Sequence, residues 1–239
     1  ANSIQACQGT AIIKSINGEY IGNSLVSDRL NASGGVISNS VSGRKDAFVG
    51  IGYTLDANNK VTPVKNAILG IYNNNYVQSN DGVVNGGVIA NYIESSTDND
   101  IAQIGNIKAD FNGNYVVSKN NDAYGGAISN YIFTNDKNYK NAIIDSISGT
   151  FENNYAETKS TDAEKGAYGG AISNKATIKA INNSIFRNNY AVSANNTENK
   201  ALGGAIYTKQ DLTINADGGL TEFTGNYIST DGGATKKYE

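Results

Sequence analysis

Wherever this chain shows a regular pattern, apolar and polar residues alternate with a period of two. Ala176-Thr177-Ile178-Lys179-Ala180-Ile181 and Asp211-Leu212-Thr213-Ile214-Asn215 are two such runs, both rich in β-branched side chains. Each predicts a short strand. A helical period never persists beyond one turn, and Gly and Asn recur too densely for helices. The pattern therefore predicts an all-β chain.

Two short motifs alternate along it. The first is Gly-Gly-small-Ile, at Gly34-Gly35-Val36-Ile37, Gly86-Gly87-Val88-Ile89, Gly125-Gly126-Ala127-Ile128, Gly169-Gly170-Ala171-Ile172 and Gly203-Gly204-Ala205-Ile206. Gly232-Gly233-Ala234-Thr235 is a degraded copy that reads as the opening of another repeat. Two residues after the Ile stand Asn39, Asn91, Asn130 and Asn174, with Thr208 in the fifth copy. The second motif is aromatic-x-x-Asn: Tyr20/Asn23, Tyr72/Asn75, Phe111/Asn114, Phe151/Asn154, Phe186/Asn189 and Phe223/Asn226. In the last five copies Tyr76, Tyr115, Tyr155, Tyr190 and Tyr227 follow the Asn.

Successive aromatics are 52, 39, 40, 35 and 37 residues apart. Periods of this size signify a solenoid, in which each unit buries its apolar face only against its neighbours. The reading is a right-handed parallel β-helix forming a single domain over residues 1–239. Residues 1–19 are expected as an N-terminal cap and six repeats to run from about residue 20. Motif-to-motif intervals of 17 to 20 residues suggest two turns per repeat, hence about ten to twelve turns and a rod of about 50 Å at the strand spacing. The 52-residue interval, with Gly43-Arg44-Lys45-Asp46 and the sole proline, Pro63, is expected to hold a looped-out insertion.

This architecture gives each motif residue a task. Paired glycines permit a sharp corner at positive φ and let one rung lie flat on the next. The isoleucines and the motif aromatics would point inward and stack as the core. Asn tolerates the left-handed conformation, and equivalent asparagines in successive rungs can form hydrogen-bonded ladders.

Composition narrows the function. The net charge of −3 and only three arginines, Arg29, Arg44 and Arg187, argue against a nucleic-acid partner. Cys7 is the only cysteine, so packing and backbone pairing must hold the fold. No run of 18 apolar residues is present, which excludes a transmembrane helix.

These motifs resemble the repeats of chlamydial polymorphic outer membrane proteins and, more broadly, β-helical autotransporter passengers. Agreement is strict at Gly125 to Ile128, Gly169 to Ile172 and Gly203 to Ile206, and at Phe111, Phe151, Phe186 and Phe223 with their asparagines. The resemblance implies a protein of the bacterial cell surface, outer membrane or secreted fraction, acting in adhesion to a host cell-surface protein or glycan. It also implies an outer-membrane barrel elsewhere in the full-length protein; the chain lacks the series of amphipathic segments a barrel requires.

An enzyme acting on polysaccharide is the rival, and it needs carboxylates converging on one groove. The nearest groupings, Asp98-Asn99-Asp100 and Asp162-Ala163-Glu164, read as solvated loops. With no His and one Cys, zinc and His-assisted nucleophile sites are excluded. No cofactor, metal or catalytic residue is expected. Candidate binding features are the stretches Glu157 to Tyr168 and Val192 to Leu202, expected at one corner of successive rungs, and the column Tyr115, Tyr155, Tyr190 and Tyr227.

Overall fold

The structure is a computed structural model that describes residues 2–42, 46–94, 99–133 and 141–238. Gly43, Arg44, Lys45 and Asp98, named above, lie outside the described residues. Among the described residues there is no helix. Strands pair in parallel with their counterparts in the neighbouring repeat, which makes the chain a parallel β-helix.

Four sheets run along the rod. Sheet A stacks Asn2–Ala6, Ile37–Val41, Ile89–Ile93, Ile128–Ile132, Ile172–Asn174 and Ile206–Thr208. Sheet B includes Ile68–Asn73, Ile101–Asn112, Ala142–Glu152 and Ile181–Arg187. Sheet C stacks Ser24–Ser27, Tyr76–Ser79, Tyr115–Ser118, Tyr155–Thr158, Tyr190–Ser193 and Tyr227–Ser229. Sheet D is narrow, made of Ala32–Ser33, Val84–Asn85, Ala123–Tyr124, Ala167–Tyr168 and Ala201–Leu202.

The register corrects the turn count. Ile89 lies opposite Ile37 and Ile128 on either side, and Phe151 opposite Phe111 and Phe186, so each residue pairs with its equivalent one full repeat away. One repeat is therefore one turn, and the chain makes six turns rather than ten to twelve. The 17 to 20 residues between motifs cover only half a circuit, because a turn must pass through four sheets before it meets itself. Five spacings of about 4.8 Å give a stack of ~24 Å, not ~50 Å.

The segment expected as a cap supplies the terminal strands: Asn2–Ala6 pairs Ile37–Val41, and Gly9–Ile13 pairs Ala47–Ile51. The expected insertion is an antiparallel hairpin of Tyr53–Leu55 and Val61–Pro63. In the next turn Gly105 and Asn106 alone bridge the span that residues 52–67 occupy here, since Ile51 pairs Ile104 and Ile68 pairs Ile107. That hairpin accounts for the long interval.

The core is columnar. Tyr20, Tyr72, Phe111, Phe151, Phe186 and Phe223 form one continuous aromatic stack, with successive ring centroids 4.8–5.2 Å apart. Beside it run the isoleucines, and the four middle aromatics have no solvent exposure. Where sheets C and D meet, the space narrows and the column is built of Ala and Val: Val77, Val84, Val116, Ala123, Ala156, Ala167, Ala191 and Ala201 are all buried there. Both ends of the stack leave core-type side chains exposed, Leu25 at one and Ile214 and Phe223 at the other. At the second end Lys237–Tyr238 folds back antiparallel across Tyr227–Ser229 and covers sheet C, while a hollow of about 540 Å³ remains beside Ile206, Leu212 and Phe223.

Candidate functional site

Two corners fix the rod's geometry. At the corner between sheets D and A the first glycine of each pair has φ between +58° and +73°. The second glycine is required by space: a Cβ on Gly126 would lie 2.1 Å from the Gly170 carbonyl oxygen and 2.5 Å from the Tyr155 backbone. The amides of Gly86, Gly125 and Gly169 donate to the carbonyls of Tyr124, Tyr168 and Leu202 in the next turn, so backbone pairing continues through the bend. Gly34, Gly35, Gly87, Gly203 and Gly204 occupy equivalent places.

At the corner between sheets B and C the motif asparagines form a buried ladder. Nδ2 of Asn75, Asn114, Asn154 and Asn189 donates to Oδ1 of the next Asn at 2.9–3.0 Å, and the backbone amide of each donates to that same oxygen. Nδ2 also donates to the carbonyl of the motif aromatic one turn back, as Asn154 does to Phe111 and Asn226 to Phe186. The left-handed residue is not the ladder Asn but the one before it: Gly22, Asn74, Gly113, Asn153, Asn188 and Gly225 all have positive φ. A second ladder in sheet A joins Asn39, Asn91, Asn130 and Asn174 and ends on the Thr208 hydroxyl.

Tyr115, Tyr155, Tyr190 and Tyr227, with Tyr76, stand on the outer face of sheet C, half-buried. Their rings stack at 4.8–4.9 Å with interplanar angles of 9° or less. Each inner ring thus has both faces covered by its neighbours and offers only its edge and hydroxyl. Sugars bind tyrosine by its face, so this column does not supply the stacking surface its sequence suggested. Its far end is closed by Lys236, 4.6 Å from the Tyr227 centroid, and by Tyr238. Burial and the neighbouring tyrosines push the Tyr190 hydroxyl up to about 12.

The two variable stretches do emerge at one corner, between sheets C and D in consecutive turns, and they bind each other. Asn195 donates to the carbonyls of Asp162 and Lys165, and Lys200 reaches the Glu164 carbonyl and carboxylate. Asp122, one turn earlier, accepts from the Gly166 amide. The loops form a braced ridge.

The acidic groupings divide. Asp162 caps an exposed turn by accepting from the Glu164 amide, as expected of a solvated loop. Asp100 is fully buried, correcting the solvated reading: its Oδ1 accepts from the Ala47 amide at 2.9 Å and ties two turns together. Carboxylates do meet elsewhere. Asp110 and Glu152 line one hollow of about 260 Å³ on the outside of sheet B, and Asp110 also borders a larger one with Lys108, Gly149 and Asn182.

Sequence reasoning missed two outer features. Tyr53, carried by the hairpin, donates to Asp145, which also accepts from Gln103 and pairs with Lys179. Tyr124, Tyr168 and Tyr207 stack along the outside of the glycine corner, with the Lys175 ammonium 3.3 Å from the Tyr124 centroid. The recurring Ala-Tyr-Gly-Gly at Ala123 and Ala167 carried that signal.

Two segments of the chain, residues 148–175 and 183–209, match the Chlamydia polymorphic membrane protein (Chlamydia_PMP) repeat. They span the motif copies beginning at Phe151, Gly169, Phe186 and Gly203, so two of the repeats are similar to that family's. Neither curated proteins nor solved structures gave a match to the chain.

Proposed function

We propose that this chain is the rigid, surface-exposed part of a bacterial autotransporter-like protein and that it acts in adhesion or host interaction. The match to the polymorphic membrane protein repeat supports the surface location. The observation that carries the binding role is the braced ridge at the corner of sheets C and D. Two loops of unlike sequence are held there on a scaffold whose other corners repeat almost unchanged. Loops fixed on a regular solenoid are the usual seat of recognition. The partner is a host surface protein or glycan.

A glycan and host-protein array probed with the whole chain tests this, beside variants in which residues 159–166 and 194–200 are shortened. Binding that disappears on shortening, with β-sheet circular dichroism intact, is the expected result; binding that persists assigns the role elsewhere. A second reading, degradation of a polysaccharide, draws on Asp110 and Glu152 lining one hollow. Release of reducing sugar, lost in Asp110→Asn, would favour it over adhesion. A plain stalk predicts silence in both assays.

A further inference from the structure

The outer side of the glycine corner is built differently from the rest of the surface. Ser129 and Ser173 alternate with inward-facing neighbours and should face solvent, yet each is only 1 % exposed. The stacked rings of Tyr124, Tyr168 and Tyr207 bend over this corner, their centroids 5.0–5.1 Å apart. Into the same corner sheet A delivers two lysines. Lys175 follows Asn174 and Lys209 follows Thr208, and Asn174 pairs with Thr208, so the two lysines stand on adjacent rungs.

Neither lysine has an ion-pair partner among the described residues, whereas Lys179, Lys200 and Arg187 all do. Lys175 is half-buried and lies over the face of Tyr124. Asp122 is the carboxylate that acts on Lys175, and its Oδ1 is also engaged by the Gly166 amide. Desolvation and the Lys209 charge hold the Lys175 ammonium down to about 8, with Asp122 opposing. A desolvated cation beside a second one, with a single carboxylate shared between them and a backbone amide, carries an excess of positive charge that an incoming anion relieves. The tyrosine hydroxyls around it can hydrogen-bond the hydroxyls of a sugar.

We propose that the corner formed by Lys175, Lys209, Tyr124, Tyr168 and Tyr207 is a binding site for a sugar carboxylate, as carried by uronate-containing glycans. Lys175 and Lys209 together hold the carboxylate, and the tyrosine hydroxyls meet the sugar's hydroxyls. The site adjoins the loop ridge at Gly166, whose amide donates to Asp122. It rests on the adhesin reading only in the choice of a glycan as the anion's carrier.

The test is titration of the whole chain with tetragalacturonate, followed by calorimetry, with its methyl ester and inorganic sulfate as parallel arms. Saturable binding of tetragalacturonate and none of the ester is expected. Lys175→Gln and Lys209→Gln should each weaken it about tenfold or more, the effect of losing a charge-assisted hydrogen bond. Lys179→Gln, which removes a paired lysine on sheet B, should leave it unchanged. Acylation of Lys175 by an amine-reactive reagent at pH 8 should slow when tetragalacturonate is present. Equal binding by all variants, tight binding of the ester, or no binding of tetragalacturonate overturns the proposal; sulfate binding as well as tetragalacturonate reduces it to a simple anion site. Lys175→Gln and Lys209→Gln leave the loop-dependent array binding intact if the proposal holds, so its failure and that of the adhesin reading are read separately.

Discussion

Asn154 and Tyr155 are neighbours in the chain and members of two ladders that climb the rod side by side, one inside and one outside. Both ladders arise from the same register, and both advance one residue per turn. The inner one is fully buried, and its amide must satisfy every polar atom it carries: Asn154 donates to Phe111 and Asn189 and accepts twice from Asn114. The outer one has ring stacking alone, with water at its edge. Repetition makes a ladder, and burial decides what the ladder is worth, because an unmade hydrogen bond is costly only where water cannot replace it.

The largest effect that sharpens this contrast comes from the inner aromatic stack. Phe151→Ala empties a fully buried position between two rings and should cost about 3–5 kcal/mol in urea unfolding. A loss below about 1 kcal/mol would mean the stack is not the core's main column. Asn154→Ala should follow closely, at about 3 kcal/mol, since it strands the Asn114 backbone amide and one of its two side-chain N–H groups at ~1–3 kcal/mol per group. Tyr155→Ala, one residue on, should cost only about 1 kcal/mol, the order of a partly exposed ring pair. If Tyr155→Ala proves as damaging as Asn154→Ala, the distinction between inside and outside fails.

Opposite in sign is Lys175. Its ammonium is lowered from 10.5 to about 8, so the folded chain binds that proton more weakly than the unfolded chain does. The linked stability is present above about pH 10.5 and is lost as pH falls through 8. The midpoint temperature of the wild type should therefore rise between pH 7.5 and 9.5 relative to that of Lys175→Met. Tyr190 and Tyr168, whose hydroxyls are pushed up to about 12, contribute stability below their unfolded value near 10 and lose it only above that. They leave this window clear. Parallel curves for the two proteins would show that Lys175 is not desolvated.

Much of this was legible from the motifs. Gly125-Gly126 and Phe151-x-x-Asn154 announced a corner, an inward stack and a ladder, because each demand is local and recurs in every turn. Thr208, read as a departure, is the hydroxyl on which the sheet A ladder ends. What escaped was closure. Half-repeat spacing looked like a whole turn, since nothing in a run of residues states how many sheets the chain passes before it meets itself. The facing of the tyrosines escaped too: a column of Tyr at every Asn-Tyr step reads as a binding surface until the rings are seen to cover one another. Asp100 read as solvent-exposed because its neighbours are polar, yet it braces Ala47 from the adjacent turn.

By itself the sequence determined the strand habit, the repeat, the corners and the composition of each column, for these depend on residues within a few positions of one another. Only the tertiary structure decided the number of turns, which tyrosines have free faces, the pairing of the two variable loops, and the seating of Lys175 over the Tyr124 ring. Those depend on contacts between residues a full repeat apart, and the separation of equivalent residues along the chain varies with each loop while the distance across the stack does not.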